Sequence, residues 1–372
     1  MTARLFAQHG SWLFSRRVDL LTFGGSALAS WLLVALGGFL GLLDRDAPTW
    51  TFVICVVAID VAHVWSTGFR VYFDADERRQ RPLLYLAVPA LAYLVGVTLH
   101  AVSALTFWCA LAYLAVFHFV RQQVGFMRLY ARRNPAQTAL DSALEQSCLY
   151  ASMLYPLVYW HAHLPRAFTW FVQGDFIEAE PVQELAQMCL PAAEGISFAL
   201  LAAFFARQVA LALRGTWVPG KSVLVVATFS CWVLGIVVFD SDYVFTVTNV
   251  LIHGVPYFVL TYRYGRTEKL ADSGRARAPD GARAKRAARI CAAGVLPFLL
   301  VCIALAGLEE ALWHGLVWQD EGAEIGFSPR HQLLVFLVPL LAVPQITHYV
   351  LDGFVWRVRS HNPVLRRELE SA

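Results

Sequence analysis

Apolar runs of about 20 residues, almost free of charge, recur from one end of this chain to the other, and no other feature limits the fold so strongly. A helix rises about 1.5 Å per residue, so each such run is long enough to cross a hydrocarbon core of about 30 Å. Ten spans can be marked, at about 19–43, 49–73, 82–103, 104–127, 142–162, 191–213, 221–240, 243–263, 289–317 and 331–356. The expected fold is therefore all-α, a polytopic integral membrane helix bundle. Of the 372 residues, 58% are hydrophobic and 15% charged, where a soluble protein carries about 25% charged residues. Residues 1–372 read as a single transmembrane domain, without an internal repeat or a separate soluble domain.

The joins between spans alternate in charge. Arg16 and Arg17, then Arg78, Arg79 and Arg81, then Arg128, Arg132 and Arg133, then Arg214 and Lys221 mark one side. Asp44 and Asp46, then Asp175, Glu178, Glu180 and Glu184, then Asp240 and Asp242, then Asp320, Glu321 and Glu324 mark the other. The positive-inside rule puts both termini in the cytoplasm and the even-numbered spans running inward, with a bacterial cytoplasmic (inner) membrane as the expected location. Segment 264–288 is basic and rich in Ala and Gly, and reads as a flexible cytoplasmic loop. Segment 163–190 mixes aromatic and acidic residues, and reads as an outer-face loop or interfacial cap. The start of the chain has no uninterrupted apolar core before its arginines, so the first span is expected to act as the signal. A net charge of +3 does not suggest a nucleic-acid partner.

Within these spans, polar residues fall in stripes. The second span carries Asp60, His63, Thr67 and Arg70 at spacings of three, four and three, which line one helical face. The fourth carries His118 and Gln122 with Arg121 beside them, the eighth Asn249 and His253, and the tenth Gln345, His348 and Asp352. The four histidines precede Arg70, Arg128, Arg263 and Arg357 by seven, ten, ten and nine residues. All lie on even-numbered spans, about 10 to 15 Å inside the same boundary, and so share one depth. A single histidine in an apolar helix is more often a hydrogen-bonded core residue. Four at one depth, three with a carboxylate or carboxamide a turn away, point to a shared site, because ionisable groups in lipid are costly and face a bundle interior or cavity.

Neutral imidazole with carboxylate is a ligand set for iron, zinc, copper or manganese, and the absence of nearby cysteine disfavours thiolate coordination. His63, His118, His253 and His348 are the expected metal ligands. Asp60 and Asp352 serve either as acceptors that fix the imidazoles around one ion or as direct ligands to two. Gln122, Asn249 and Gln345 fit the surrounding shell, and Arg121 balances a carboxylate or holds an anionic head group. The leading reading is a non-haem iron oxidoreductase, of oxygenase, desaturase or hydroxylase type. It would act on a lipid, isoprenoid or carotenoid-like substrate, with a soluble electron donor at the cytoplasmic face. The H-x-x-x-H and H-x-x-H-H boxes of membrane desaturases and hydroxylases are absent, since no two of these histidines share a span. A proton- or cation-coupled transporter is the first alternative, with Pro256 and Pro344 as helix breaks, and a haem-binding membrane protein is the second.

Other polar residues are set aside. Glu310, His314, His100, His161 and His163 fall near outer ends of spans, where interfacial placement accounts for them. Arg207 is read as snorkelling, and Tyr257, Tyr349 and Trp356 as packing or interface aromatics. The seven cysteines contain no C-x-x-C pair and read as small buried apolar residues. "GTWVPGKS", 215–222, lacks the spacing and preceding strand of a phosphate loop and is a short turn.

Overall fold

The computed structural model describes residues 12–43, 47–134, 136–273, 286–318 and 331–356, and every regular element among them is helical. Thirteen helices follow in order: α1 Arg16–Leu40, α2 Thr49–Arg70, α3 Ala75–Gln80, α4 Pro82–Val102, α5 Ala104–Arg133, α6 Ala139–Ala162, α7 Glu180–Leu213, α8 Pro219–Val238, α9 Asp242–Arg266, α10 Arg286–Ala293, α11 Val295–Trp318, α12 His331–Leu341 and α13 Val343–Val355. Eight of them, α1, α2, α4, α5, α7, α8, α9 and α11, are long and apolar enough to cross a membrane, and the bent pair α12 and α13 makes a ninth if taken as one span. Large apolar side chains stand fully open, Phe39 being 87% exposed, as expected of surface that meets lipid rather than water.

Several expected boundaries move, for local reasons. The 142–162 run is helical, but Asp141 and Glu145 near the start of α6 keep it out of the strongly apolar set. The tenth run bends by 42° between α12 and α13, where Pro344 lacks the N–H that would continue the ladder. Helix α9 continues to Ser273 and α10 begins at Arg286. Good helix formers therefore reach well into the basic segment read as a loop, and its middle, 274–285, lies outside the described residues, as do Asp44, Asp46, Asp320, Glu321 and Glu324. The segment read as an outer-face loop or interfacial cap is a loop over 163–179, followed by the start of α7. Its Phe168 and Phe176 are buried against Trp160, 4.6 and 4.9 Å between ring centroids, because aromatic area gains more from packing than from the interface.

The described chain forms two compact units. Of the described residues, the first takes 12–51 and 119–256. In it α6 packs along α7, and α8 packs on both α6 and α1. Its ends are set by local chemistry. Ser15 caps α1 by accepting from the Val18 N–H at 3.2 Å, and Gly41, at a φ of 67°, closes it in the left-handed conformation that only glycine adopts without strain. Thr138 and Asp141 form a reciprocal capping box at the start of α6. Thr138→Ala is expected to cost about 1 kcal/mol, read as a lower thermal midpoint in detergent; an unchanged midpoint would show that the cap contributes nothing. Two ion pairs join helices in this unit: Lys221 Nζ lies 2.7 Å from Glu145 Oε1, and Arg207 Nε 2.6 Å from Asp141 Oδ1. Arg207 therefore makes a specific ion pair.

Of the described residues, the second unit takes 52–118 and 257–356. Helix α2 packs on α11 through Ala62, Phe69, Phe298, Cys302 and Ala306. Helix α4 lies along α12 and α13, and Val71, Tyr85, Leu351 and Val355 fill the junction below it. Arg70, treated in the sequence as a boundary marker, is fully buried here. Its guanidinium pairs with Glu77 of α3 at 2.7 Å, donates to the Val355 carbonyl at 3.0 Å and lies 4.4 Å over the Tyr264 ring.

Candidate metal centre

The π-helical stretch Phe52–Val61 widens the first part of α2, and regular α-helix resumes at Ala62. The wider turns change the rotational register just before His63, a device common where a helix must aim a functional side chain. Helix α9 repeats it, with a π turn at Thr246–Val250 just before His253. His63, His118, His253 and His348 are all about 1% exposed.

Three of them meet within the second unit. The Nε2 atoms of His118 and His348 are 3.1 Å apart. The ring of His348 stands edge-on to His63 and His118, with centroids at 4.8 and 4.5 Å. Two imidazole nitrogens that both keep their lone pairs repel at such a distance, so a cation or a proton belongs between them. The δ nitrogens face elsewhere. His348 Nδ1 lies 2.6 Å from Thr67 Oγ1, His63 Nδ1 3.6 Å from Asp60 Oδ1, and His118 Nδ1 3.7 Å from Asp352 Oδ2. Thr67 Oγ1 is also 3.0 Å from the Tyr257 hydroxyl, which accepts from Trp356 Nε1 at 3.4 Å.

The Thr67 oxygen opposite His348 Nδ1 favours the tautomer that leaves Nε2 of that ring free to coordinate. Asp60 and Asp352 lie beside His63 and His118 at 3.6 and 3.7 Å, longer than a hydrogen bond. The Oδ1 atom of each carboxyl is buried without a hydrogen-bond partner, a cost that a nearby cation would offset.

His253 sits on α9 one turn before Tyr257, and its ring lies flat on Phe119, centroids 3.6 Å apart and planes within 8°. Its position rests on a proline. Pro256 has no N–H to offer the Ile252 carbonyl, and Gln123 Nε2 supplies the missing donor at 3.0 Å, while Gln122 Nε2 donates to the His253 carbonyl at 2.8 Å. The four buried histidines form a group that could hold a metal ion: each offers one ring nitrogen, and these atoms lie within 4.8 Å of one another.

The remaining predicted residues divide. Gln122 positions backbone, as described. Gln345 Nε2 donates to the Tyr349 hydroxyl at 2.8 Å, and the Tyr349 ring stacks on His118 at 4.8 Å, so Gln345 acts one residue removed from the imidazoles. Asn249 Nδ2 is directed to the Phe245 carbonyl at 3.4 Å and Thr248 Oγ1 at 3.2 Å. Arg121 donates to the Tyr150 hydroxyl. Tyr257, Tyr349 and Phe119 touch the histidines directly. Tyr257 stands at the four-residue spacing from His253 and so could have been read from the sequence, whereas Phe119 carries no signal that separates it from the other 24 phenylalanines. Glu309, also unremarked in the sequence, is nearly buried and accepts from Trp65 Nε1 at 2.6 Å.

Thr67→Val removes the hydroxyl that holds His348 Nδ1 while keeping the side-chain shape. Metal affinity is expected to weaken by about 10–100-fold, with Thr67→Ser close to wild type, measured by competition with a chromogenic chelator. Equal affinity in Thr67→Val would remove Thr67 from the site.

The fold and the buried histidine group together define a helical integral membrane protein with a candidate metal centre. The chain matches no known family model, no curated protein and no solved structure.

Proposed function

We propose that the chain is a membrane-embedded, metal-dependent oxidoreductase in which His63, His118, His253 and His348 bind one ion, iron in the working enzyme. The observation that carries this reading is the convergence of four buried ring nitrogens within 4.8 Å. Nitrogens about 2.0–2.1 Å from a tetrahedral ion lie about 3.4 Å from each other. The 3.1 Å pair is close to that already, and small ring rotations bring in the others. Four neutral imidazoles leave the ion its full positive charge, and Asp60 and Asp352, beside the rings of His63 and His118, balance it.

A haem would fit poorly. The His348 ring lies against those of both His63 and His118, so a macrocycle between two of the three would collide with the third. The cavity beside these helices is lined by apolar side chains, which suits a hydrocarbon substrate better than a passing ion. Bound iron would supply one-electron redox chemistry and a site for dioxygen. For a hydroxylation, dioxygen, two electrons and two protons would convert a substrate C–H to C–OH and release one water, with electrons from a soluble flavin- or iron–sulfur-type donor at the cytoplasmic face. The test is oxygen uptake by the iron-loaded protein in nanodiscs of native lipid with dithionite-reduced mediator. Uptake above the His348→Ala background, with an oxidised lipid product, is expected; uptake equal to that background rules the reading out.

A further inference from the structure

We infer that the second unit contains the substrate cavity of this enzyme and that it takes a single extended acyl chain; the inference rests on the oxidoreductase reading and names its substrate class. The cavity, of about 350 Å³, lies among α4, α5 and α13. On α4 it follows one stripe, from Val88 through Ala92 to Leu99. That stripe is about 16 Å long, an elongated shape that suits an extended methylene chain. Almost none of its lining is polar, so a polar or charged occupant would lose its hydrogen bonds with nothing in return.

One wall leads to a histidine. On α5 the cavity is lined by Phe107, Leu111 and Leu114, and His118 continues the same stripe one turn after Leu114. On α13, Ile346 and Val350 line it, and His348, two residues from each, lies on the other face of that helix. Close approach of the helices shapes it as well: a side chain at Gly96 would meet the Cβ of Pro339 at 2.9 Å, so a larger residue there would push α12 away from α4.

The experiment uses the full, metal-loaded chain in phosphatidylcholine nanodiscs and a palmitic acid analogue with a diazirine near its methyl end, with labelled residues mapped by mass spectrometry. The expected result is saturable labelling at Ala92, Leu111, Leu114 or Val350, suppressed by unlabelled palmitate. Two cavity-filling variants, Leu114→Trp and Ala110→Phe, should each reduce that labelling about tenfold or more while metal content holds; either one that folds suffices. Labelling that does not saturate and is equal at the outward-facing Leu86 and Leu94 would mean surrounding lipid only and would overturn the inference. Metal content, measured on the same samples, separates the two ideas. Saturable labelling without stoichiometric metal upholds an acyl-chain cavity and removes the enzyme, and metal without saturable labelling does the reverse.

Discussion

His348→Ala is expected to leave the purified protein with almost no tightly bound metal. A four-ligand protein site for a divalent ion is worth about 10–16 kcal/mol, so one ligand of four carries about 3 kcal/mol, more than a hundredfold in affinity. His348 is also the ring that touches both His63 and His118 and is held by Thr67, so its loss frees the neighbouring rings. His314→Ala, on the exposed far end of α11, should keep the wild-type load. Elemental analysis after dialysis against a weak chelator, with gel filtration to show that the variant is folded, decides the matter. A folded His348→Ala protein with an undiminished load would exclude this residue as a ligand.

Arg70→Met is expected to lower stability by about 3–5 kcal/mol, the largest effect anticipated outside the histidine group. The loss would come less from the missing attraction than from the Glu77 carboxylate left buried without its main partner. Arg81 Nε, 3.6 Å from the other Glu77 oxygen, compensates only in part. The double replacement Arg70→Met with Glu77→Leu should recover most of the loss, since no charge is then stranded.

A pH dependence follows from the same pair. Burial alone would raise the pKa of Glu77, but the Arg70 guanidinium, the Tyr85 hydroxyl and Arg81 outweigh it and leave it below its ordinary value. A carboxyl whose folded value is depressed contributes stability above its unfolded pKa and loses it as pH falls through the folded value. Thermal midpoints in detergent should therefore fall below about pH 5 in the wild type, and less so in the double variant. Identical acid profiles would show that Glu77 is not the group responsible.

Much of this was legible in the sequence, because lipid imposes simple rules. Apolar length alone located α1, α2, α4, α5, α7, α8, α9 and α11, and helical spacing put Asp60, His63 and Thr67 on one face. What escaped depends on contacts between helices far apart in sequence. Arg70 looked like a residue at the membrane boundary, yet α3 folds back to pair Glu77 with it, and no local pattern announces a partner seven residues away in another helix. The backbone roles of Gln122 and Gln123, which donate to the His253 and Ile252 carbonyls, are visible only when α5 and α9 are seen together. Phe168 and Phe176 looked interfacial for a related reason: a short sequence shows amphipathic composition, not which way the rings turn.

The claim on which everything else depends is that four imidazoles close on one ion. X-ray absorption of the zinc-loaded protein measures this directly. Four nitrogen neighbours at about 2.0–2.1 Å, with the outer-shell scattering of imidazole, are expected. A second metal at about 3.5–4 Å, or a first shell dominated by carboxylate oxygen, would contradict the single-ion, four-histidine site.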